Sequence, residues 1–289
     1  MVNFKNLEQT YLIAEIGINH NGDINIAKKL IDASYAIGWD CVKFQKRDPD
    51  ICVPEHQKNV LRKTPWGEMT YLNYKKKIEF ASLEYDKINS YCKSKKPNIH
   101  WTASVWDLNS LEFILKYKDI PFIKIPSAMI SNQVLLKACA KSEKPIIFST
   151  GMSTLKEIDD AFNIIDKFSN NYCLLHTNSS YPAPIEDLNL SLIPFYIDRY
   201  KCPVGYSGHE YNIEPSVIAV TLGAKIIERH ITLDHEMWGT DHKSSLTIPG
   251  MDRLIVRVRT AEQAIGKPIK KITKEEEIIR KKLGIKPLN

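Results

Sequence analysis

The stretches Val204-Gly-Tyr-Ser-Gly-His209 and Lys225-Ile-Ile-Glu-Arg-His-Ile-Thr-Leu-Asp234 predict the fold class of this chain. Each begins as an apolar, β-branched run and then reaches a histidine, His209 in the first and His230 in the second. A helical pattern over residues 214–222 separates them. The order strand, helix, strand is typical of neighbouring parallel strands, so we expect both imidazoles at the same edge of a parallel sheet.

The two histidines also form a candidate metal site. Neutral imidazoles that converge from neighbouring strands suit a divalent transition metal. A single histidine at a strand end is more often a structural residue whose nitrogens are satisfied by its surroundings, and that alternative applies to each one separately. Two histidines at equivalent positions, beside Ser207 and Glu228, favour the metal site.

The rest of the chain repeats the same alternation. Helical patterns follow the predicted strands; Ile24–Ile37 stops at Gly38, and residues 155–168 follow a capping candidate, Ser153 or Thr154, with Glu157 placed for a capping box. Eight such units in 289 residues predict a single-domain (β/α)8 TIM barrel over residues 1–270. A doubly wound open sheet is the alternative, but no glycine-rich dinucleotide turn follows the first strand. The predicted strands are residues 11–19, 41–46, 99–105, 122–127, 145–150, 172–177, 203–209 and 225–232.

The carboxyl ends of these strands, where barrels carry their chemistry, are unusually polar. Lys43 and Lys124, with neighbouring serines and the Gly151 backbone, form a candidate anion cradle. For any single residue of this ring the alternative is a structural ion pair, for example between Glu15 and Lys43. That alternative explains the whole ring of polar residues less well. No cysteine or serine has a convincing base beside it, so covalent catalysis is disfavoured. The polar residues are Glu15, Lys43, Gln45, Thr102, Ser104, Lys124, Ser127, Ser149, Thr150, His176, Thr177, Tyr206, Ser207, His209, Glu228 and His230.

Composition sets broader bounds. Forty basic and 34 acidic residues give a net charge of +6 that is spread along the chain, which predicts no nucleic-acid surface. Aromatic and basic residues interleave over residues 66–77, which we interpret as a barrel loop and the helix after it. Six cysteines form no CxxC pair and several lie in apolar runs, as reduced core cysteines do. No targeting or membrane-spanning stretch is apparent, so we expect a cytoplasmic protein.

Several motifs together resemble the barrel domain of the sialic acid synthase family, whose members condense phosphoenolpyruvate with a sugar aldehyde. They recur in order from about residue 11 to residue 246. Each motif is weak by itself, whereas the ordered set is specific. The motifs are Ala14-Glu-Ile-Gly-Ile-Asn-His-Asn-Gly22, Val42-Lys-Phe-Gln45, Phe122-Ile-Lys-Ile125, Lys144-Pro-Ile-Ile-Phe-Ser-Thr-Gly-Met152, Gly205-Tyr-Ser-Gly-His209, Glu228-Arg-His-Ile-Thr-Leu-Asp234 and Trp238-Gly-Thr-Asp241.

The resemblance implies a role for each matching residue. It makes His209 and His230 ligands of a divalent metal, usually manganese, with Mg²⁺ or Co²⁺ as alternatives. It places Glu15 beside the reacting carbons, and Gln45 and Asp241 in contact with the sugar or with water on the metal. The implied reaction is attack by C3 of phosphoenolpyruvate on the aldehyde, followed by water addition at C2 and loss of phosphate with C–O cleavage. The residues implied to hold phosphoenolpyruvate are Lys124, Ser127, Ser149, Ser207 and Tyr181, joined by Lys43.

Three departures from the family pattern concern the sugar. Met129 stands where relatives often have a sugar-contacting glutamate, and Ser179 where some have asparagine. Full-length relatives continue into an antifreeze-like domain that caps the partner's site, whereas residues 271–289 are read here as a charged tail without that domain, with residues 273–283 as a solvated helix or linker. We therefore expect loose selectivity for the sugar. The resemblance also implies a homodimer, and a capping domain supplied by a separate chain is an alternative.

The leading hypothesis is a metal-dependent synthase that joins phosphoenolpyruvate to an aldose of the N-acetylmannosamine type. A related carbon–carbon synthase that uses a different aldose is the second reading. A catalytically weak barrel that acts as a binding or regulatory partner of a complete synthase is the third, and the intact ring of Glu15, Lys43, Lys124, His209 and His230 argues against it.

Overall fold

The computed structural model describes residues 1–284 as a closed barrel of eight parallel strands, in the spatial order β1-β10-β9-β8-β7-β6-β5-β2. The predicted (β/α)8 TIM barrel is confirmed. All eight predicted strands are present, and two of them, β2 and β8, have the predicted bounds. In chain order the strands are β1 (Tyr11–Gly17), β2 (Cys41–Lys46), β3 (Leu61–Thr64), β4 (Gly67–Thr70), β5 (His100–Val105), β6 (Ile123–Ile125), β7 (Ile146–Ser149), β8 (Tyr172–Thr177), β9 (Val204–Gly208) and β10 (Ile226–His230).

The barrel is built from strands that are buried on both faces. Along β1 the side chains alternate: Leu12, Ala14 and Ile16 pack outward in the core between strands and helices, whereas Ile13 lies in a second cluster at the amino end of the barrel. Glu15, two residues beyond Ile13, therefore lies on the inner face at the opposite, carboxyl end. The apolar plug below and the polar ring above divide the barrel interior.

The outer layer consists of helices whose ends follow the expected signals. Asp23 caps α1, and Gly38 ends it with a φ of 91° that a glycine adopts without strain. Thr154 and Glu157 form the predicted capping box of α8. The helices are α1 (Ile24–Ile37), α2 (Pro49–Cys52), α3 (Glu55–Lys58), α4 (Tyr71–Ile78), α5 (Ser82–Ser94), α6 (Leu108–Leu115), α7 (Gln133–Ala140), α8 (Leu155–Asp166), α9 (Leu192–Tyr200), α10 (Glu214–Thr221), α11 (Ile248–Ile265) and α12 (Lys274–Lys282).

The connection after β2 differs from the expected barrel loop. It holds a two-stranded antiparallel hairpin, β3–β4, whose tight turn ends at Gly67 with a φ of 99°. Trp66 at the turn packs edge-on against Trp238, with ring centroids 5.8 Å apart. Trp238 also contacts Tyr74 of α4 at 5.0 Å, so the hairpin and the loop after β10 meet over one side of the barrel mouth.

The final helix is exposed, and the cysteines are not paired in disulfides. α12 is capped by Thr273, has no buried residue, and carries acidic residues in its first turn and basic residues in its last. The remainder of the predicted tail, residues 285–289, lies outside the described residues. The six cysteines are free thiols and five of them are buried. No helix within residues 1–284 has the length and apolar character needed to cross a bilayer.

Candidate active site

A cavity of about 230 Å³ opens at the carboxyl ends of the barrel strands. It brings together most of the predicted site residues, which come from all eight barrel strands or the loops after them. Four residues of the predicted polar ring lie outside this lining: Thr102, Thr150, His176 and Tyr206. Asp241 is not part of the lining, but its Oδ2 lies 3.9 Å from Nδ1 of His230. The predicted residues in the lining are Glu15, Lys43, Gln45, Ser104, Lys124, Ser127, Ser149, Thr177, Tyr181, Ser207, His209, Glu228 and His230.

Two buried lysines and two buried carboxylates form the floor of the cavity. Lys43 Nζ lies 2.6 Å from Glu15 Oε2 and 3.6 Å from Glu228 Oε1, while Lys124 Nζ lies 3.7 Å from Glu228 Oε1. Strand register explains the first pair, because Glu15 of β1 is the partner of Lys43 of β2. The ion pair that we considered as a structural alternative thus exists, and it lies inside the same cavity as the histidines.

The two lysines of this floor have different acid–base character. Burial lowers the pKa of Lys43, but the charges of Glu15 and Glu228 outweigh it and hold that pKa above the ordinary value. Lys124 has only the more distant Glu228, and burial together with the charge of Lys43 lowers its pKa to about 8. Lys43 is therefore a fixed cation, whereas Lys124 titrates near neutral pH and gains most from an incoming anion.

Hydroxyl groups surround the Lys124 ammonium. Its Nζ donates to Ser149 Oγ at 2.7 Å, and the Gly151 backbone N–H donates to Ser127 Oγ at 3.0 Å. A side chain at Gly151 would collide with Ser127 and Ser179, so only glycine leaves this wall open. A cation and several hydroxyls are donors that suit an anion such as phosphate or carboxylate, and the Gly151 N–H holds the Ser127 hydroxyl among them.

The two histidines face each other across the cavity, with ring centroids 5.5 Å apart. Nδ1 of His209 donates to the Asn178 carbonyl at 2.6 Å, which assigns the tautomer whose Nε2 carries the lone pair; this Nε2 accepts from the Tyr181 hydroxyl at 2.8 Å. Burial and the nearby His230 lower the pKa of His209 to about 3, so its ring is neutral. Nδ1 of His230 is buried without a hydrogen-bond partner.

These histidines fit a divalent metal as a pair of ligands. A metal-binding histidine is usually neutral and donates through its second ring nitrogen to a backbone carbonyl, as His209 does. His230 has a buried ring nitrogen without a hydrogen-bond partner. Within residues 1–284 no group of three or more His, Cys, Asp or Glu side chains is arranged to hold a metal. A metal at this pair would take its other ligands from substrate and water.

The side of the cavity opposite Lys124 is organised by Gln45. Its Nε2 donates to Glu15 Oε1 at 2.9 Å, and its Oε1 accepts from the Arg47 guanidinium. Gly17 approaches this point with a φ of 55°, and a side chain there would press on Gln45, Glu15 and His230. Gln45 therefore orients one oxygen of Glu15 while Lys43 neutralises the other.

Sequence reasoning missed the residues that position the two histidines from behind. Arg229, between Glu228 and His230, is fully buried on the outer face of β10 and forms an ion pair of 2.8 Å with Glu210, the residue after His209. It also donates to the Asn212 carbonyl and to Ser216 Oγ, at 2.9 and 3.0 Å. The sequence position of Arg229 could have indicated this pair. Side chains alternate along a strand, so Arg229 points away from the cavity between Glu228 and His230, and a buried arginine needs a carboxylate.

Two further residues differ from expectation. Trp106, from the loop after β5, forms part of the cavity wall, and its indole N–H donates to Ser104 at 3.2 Å. Met129, which we expected at a sugar-contacting position, lies in a short 3₁₀ turn and packs half-buried against the apolar core outside the cavity lining. The Met129 side chain therefore does not reach the cavity.

Comparison with known proteins agrees with this geometry. A Campylobacter jejuni protein named N,N'-diacetyllegionaminic acid synthase is 38% identical over 289 residues, which span 97% of this chain and 86% of that protein. The mouse N-acetylneuraminate-9-phosphate synthase is 37% identical over 277 residues, 95% of this chain and 76% of that protein. The crystal structure of the N-acetylneuraminic acid (sialic acid) synthetase from Leptospira borgpetersenii in complex with citrate superposes with a TM-score of 0.84 at 32% identity, covering 96% of this chain and 94% of that one. The family model described as NeuB matches residues 30–270, and the chain therefore belongs to the NeuB family.

Proposed function

We propose that this protein condenses phosphoenolpyruvate with an N-acetylmannosamine-like aldose to give a nonulosonic acid and phosphate, with a divalent metal at His209 and His230. As a NeuB family member the chain is a phosphoenolpyruvate-dependent, carbon–carbon bond-forming synthase. The finer assignments, namely the aldose, the metal and the role of each residue, form the proposal.

The observation that carries the proposal is the division of the cavity into two chemical halves. The Lys124 side offers a cation and the hydroxyls of Ser127 and Ser149, which suit the anionic groups of phosphoenolpyruvate. The opposite side offers the imidazoles of His209 and His230 and the Gln45 amide, which suit a carbonyl oxygen and sugar hydroxyls. Glu15 and Lys43 lie on the floor between the two halves, where the new bond would form.

We assign the steps to this chain's residues as follows. Lys124, Ser127, Ser149 and their neighbours hold phosphoenolpyruvate so that its C3 faces the aldehyde carbon and the carbon–carbon bond forms there. The aldehyde oxygen becomes a hydroxyl by taking up one of the two protons of the water that adds at C2. Water then adds to C2 and gives one proton to Glu15, which Lys43 and Gln45 keep in place and which passes that proton on to the former aldehyde oxygen. The C2–O bond to the phosphoryl group breaks as C2 becomes a carbonyl, and the second proton of the water leaves with the phosphate. Ser207 and Tyr181 complete the phosphoenolpyruvate contacts. Asp241, whose Oδ2 lies 3.9 Å from Nδ1 of His230, contacts the sugar or water on the metal beside that histidine.

The metal, when bound, polarises the aldehyde carbonyl as a Lewis acid. We propose Mn²⁺, with Mg²⁺ and Co²⁺ as alternatives, because two imidazoles with open positions for oxygen ligands accept all three. With only two protein ligands the affinity should be modest. Titration of the protein with Mn²⁺, followed by electron paramagnetic resonance of the free ion, tests this directly, and His230→Ala should abolish the binding.

The test of the proposed function is release of phosphate from phosphoenolpyruvate in the presence of Mn²⁺ and a panel of aldoses. Run in ¹⁸O-labelled water, the reaction should place the label at C2 of the product and leave the phosphate unlabelled, because C–O cleavage is proposed. Use of an aldose without the acylamino group would favour the related synthase over the leading assignment. Absence of phosphate release with every aldose, from protein that binds Mn²⁺, would contradict the proposed function and favour a binding role.

A further inference from the structure

The loop between β1 and α1, residues 18–23, carries the motif Asn19-His-Asn-Gly22, to which none of the steps above assigns a role. Asn19 and His20 are buried although they lie in a loop, and a buried polar side chain needs partners that offset its desolvation. Both asparagines of the motif donate hydrogen bonds to residues of a second loop, which follows β10 and covers residues 231–246. We call the two segments the β1 loop and the β10 loop.

Asn19 binds the base of the β10 loop. The two ends of that loop meet there, because Ile231 and Leu246 form a β-bridge. The Asn19 amide donates one N–H to the Ile231 carbonyl and the other to Ser245 Oγ, both at 2.9 Å. A carbonyl oxygen can only accept, so the NH₂ group of the amide, and not its oxygen, faces Ile231. This position therefore requires a side chain with two N–H donors on one nitrogen.

A chain of hydrogen bonds leads from Asn19 to Asp241. Ser245 Oγ accepts from Asn19 and donates its own proton to the Asp241 carbonyl at 2.6 Å. The Asp241 carboxylate lies 3.9 Å from the ring of His230. The backbone that carries this carboxylate is thus tied to the β1 loop.

Asn21 binds the middle of the β10 loop. Its Nδ2 donates to the Trp238 carbonyl at 2.9 Å, while Trp66 and Tyr74 pack against the Trp238 ring. Asn21 has a φ of 49° and Gly22 a φ of 75°, and asparagine is one of the few side-chain-bearing residues that adopt this left-handed region readily. The hydrogen bond and the ring contacts hold Trp238 independently of each other.

His20 fixes the β1 loop itself. Its ring stacks on Phe80, with centroids 3.8 Å apart and planes inclined by 17°. Its Nδ1 accepts from the Gly22 backbone N–H at 3.0 Å, and burial lowers the pKa of His20 to about 3, so the ring is neutral and keeps the lone pair for this bond. A side chain on Gly22 would lie 2.8 Å from the Lys77 carbonyl. The β1 loop therefore lies between residues 77–80 and the β10 loop.

The contacts of the β10 loop concern one half of the active-site cavity. Asp241 lies beside His230, in the half that we assign to the acceptor and the metal. Lys124 and Ser149, in the phosphoenolpyruvate half, come from β6 and β7, which face β10 and β1 across the closed barrel. A change in the β1 loop should therefore affect the acceptor and the metal and leave phosphoenolpyruvate binding intact.

We propose that Asn19 and Asn21 are positioning residues for the acceptor half of the site, because they hold the β10 loop so that Asp241 stays beside His230. Neither asparagine touches the reacting atoms, and both act through Asp241. The kinetic part of this inference rests on the proposed function. Its other parts, the mobility of the β10 loop and the affinity for Mn²⁺, can be measured without turnover.

The first measurement is amide hydrogen exchange, followed by mass spectrometry. Asn21→Asp keeps the size of the side chain but replaces the N–H donor by an oxygen that faces the Trp238 carbonyl. Peptides from residues 232–246 should exchange roughly 5- to 10-fold faster, the effect of one lost hydrogen bond. Ser245→Ala, which interrupts the chain from Asn19 to Asp241, should act in the same direction. Asn25→Asp is the matched control, because it makes the same substitution at an exposed residue of α1, and it should leave the exchange unchanged.

The second measurement separates the two halves of the site. In Asn21→Asp, the KM for N-acetylmannosamine and the dissociation constant of Mn²⁺ from electron paramagnetic resonance should each rise about 10-fold, while the KM for phosphoenolpyruvate changes by less than about two-fold. Because Asn21 acts through Asp241, adding Asn21→Asp to Asp241→Asn should raise the acceptor KM no further.

Three results would overturn the inference: unchanged exchange of the β10 loop in both Asn21→Asp and Ser245→Ala, parallel rises of the two KM values, or additive effects in the double variant. Faster exchange without any change in Mn²⁺ affinity or acceptor KM would also overturn it, because the asparagines would then only stabilise a loop. If the wild-type protein releases no phosphate with any acceptor, the proposed function fails, whereas hydrogen exchange and Mn²⁺ titration still decide the positioning role.

Discussion

Replacement of Lys124 by methionine removes one of the two cations of the anion cradle and preserves most of the side-chain volume. Lys124 is almost completely buried, donates to Ser149, and lies 3.7 Å from Glu228. Its pKa of about 8 means that most of these ammonium groups are charged at pH 7. The variant should therefore fold, because the protein loses a cation that burial already disfavours.

The magnitude follows from the contact that is lost. A hydrogen bond to a charged group contributes about 1.5–3 kcal/mol, so the dissociation constant for phosphoenolpyruvate should rise roughly 10- to 150-fold. The pH dependence has a definite sign, because the anion needs the protonated lysine. Affinity should be nearly constant below pH 7 and should weaken about five-fold between pH 8 and pH 9, as the ammonium with a pKa of about 8 loses its proton.

Isothermal titration calorimetry with phosphoenolpyruvate measures both quantities. In two buffers with different ionisation enthalpies, binding to the wild-type protein at pH 8 should take up about half a proton per ligand, since half of the Lys124 side chains are neutral there. Lys124→Met should bind without this uptake. Lys46→Met serves as the control, because Lys46 pairs with Glu79 outside the cradle. Unchanged affinity in Lys124→Met, or equal proton uptake in both proteins, would refute the placement of the anion at Lys124.

Three further perturbations test other parts of the site. His209→Ala and His230→Ala should each raise the activation free energy of turnover by several kcal/mol, while the circular dichroism spectrum stays native. Near-normal turnover of either variant after metal removal would contradict the metal assignment. Arg229→Met and Glu210→Gln should each lower the free energy of unfolding in urea by about 3–5 kcal/mol, whereas the double variant should lose less than the sum; additive losses would show that the buried pair is not coupled. Gly151→Ala should weaken phosphoenolpyruvate binding by about 1–3 kcal/mol with little change in Tm, since its side chain collides with the serines of the cradle, and unchanged binding would place the ligand away from that wall.

Most of the barrel could be predicted from the sequence because its signals are local. β-branched runs with helical patterns between them specify parallel strands, and the capping box at Thr154 specifies where α8 begins. Strand ends were less accurate. The predicted strand over residues 122–127 ends at Ile125, because Pro126 has no N–H to donate to the ladder and Ser127 enters a 3₁₀ turn.

The hairpin β3–β4 was not predicted because its residues are exposed and polar, so hydrophobic alternation does not mark it. Only the turn sequence Pro65-Trp-Gly67 signalled it.

The site was predictable to the extent that strand ends must converge. Glu15, Lys43 and Lys124 are brought together by barrel closure alone, which the alternation of strands and helices implies. Residues from loops were not predictable in the same way. Trp106 enters the cavity wall and Arg47 stacks on its ring through contacts between segments that are distant in sequence, and no local pattern encodes those contacts.

Closure of the barrel by β1 and β10 has a consequence for synthesis on the ribosome. β1 and β2 emerge early, but the second partner of β1 ends only at His230, 184 residues after the end of β2 at Lys46. At about 5–20 residues per second, one edge of β1 stays unpaired for roughly 10–40 s, which is a long exposure for a buried apolar strand. During that interval Glu15 and Lys43 can already neutralise each other across β1 and β2, whereas Lys124 has to wait for Glu228 on the last strand. We therefore expect nascent chains that stop before β10 to be the aggregation-prone species and the strongest clients of chaperones.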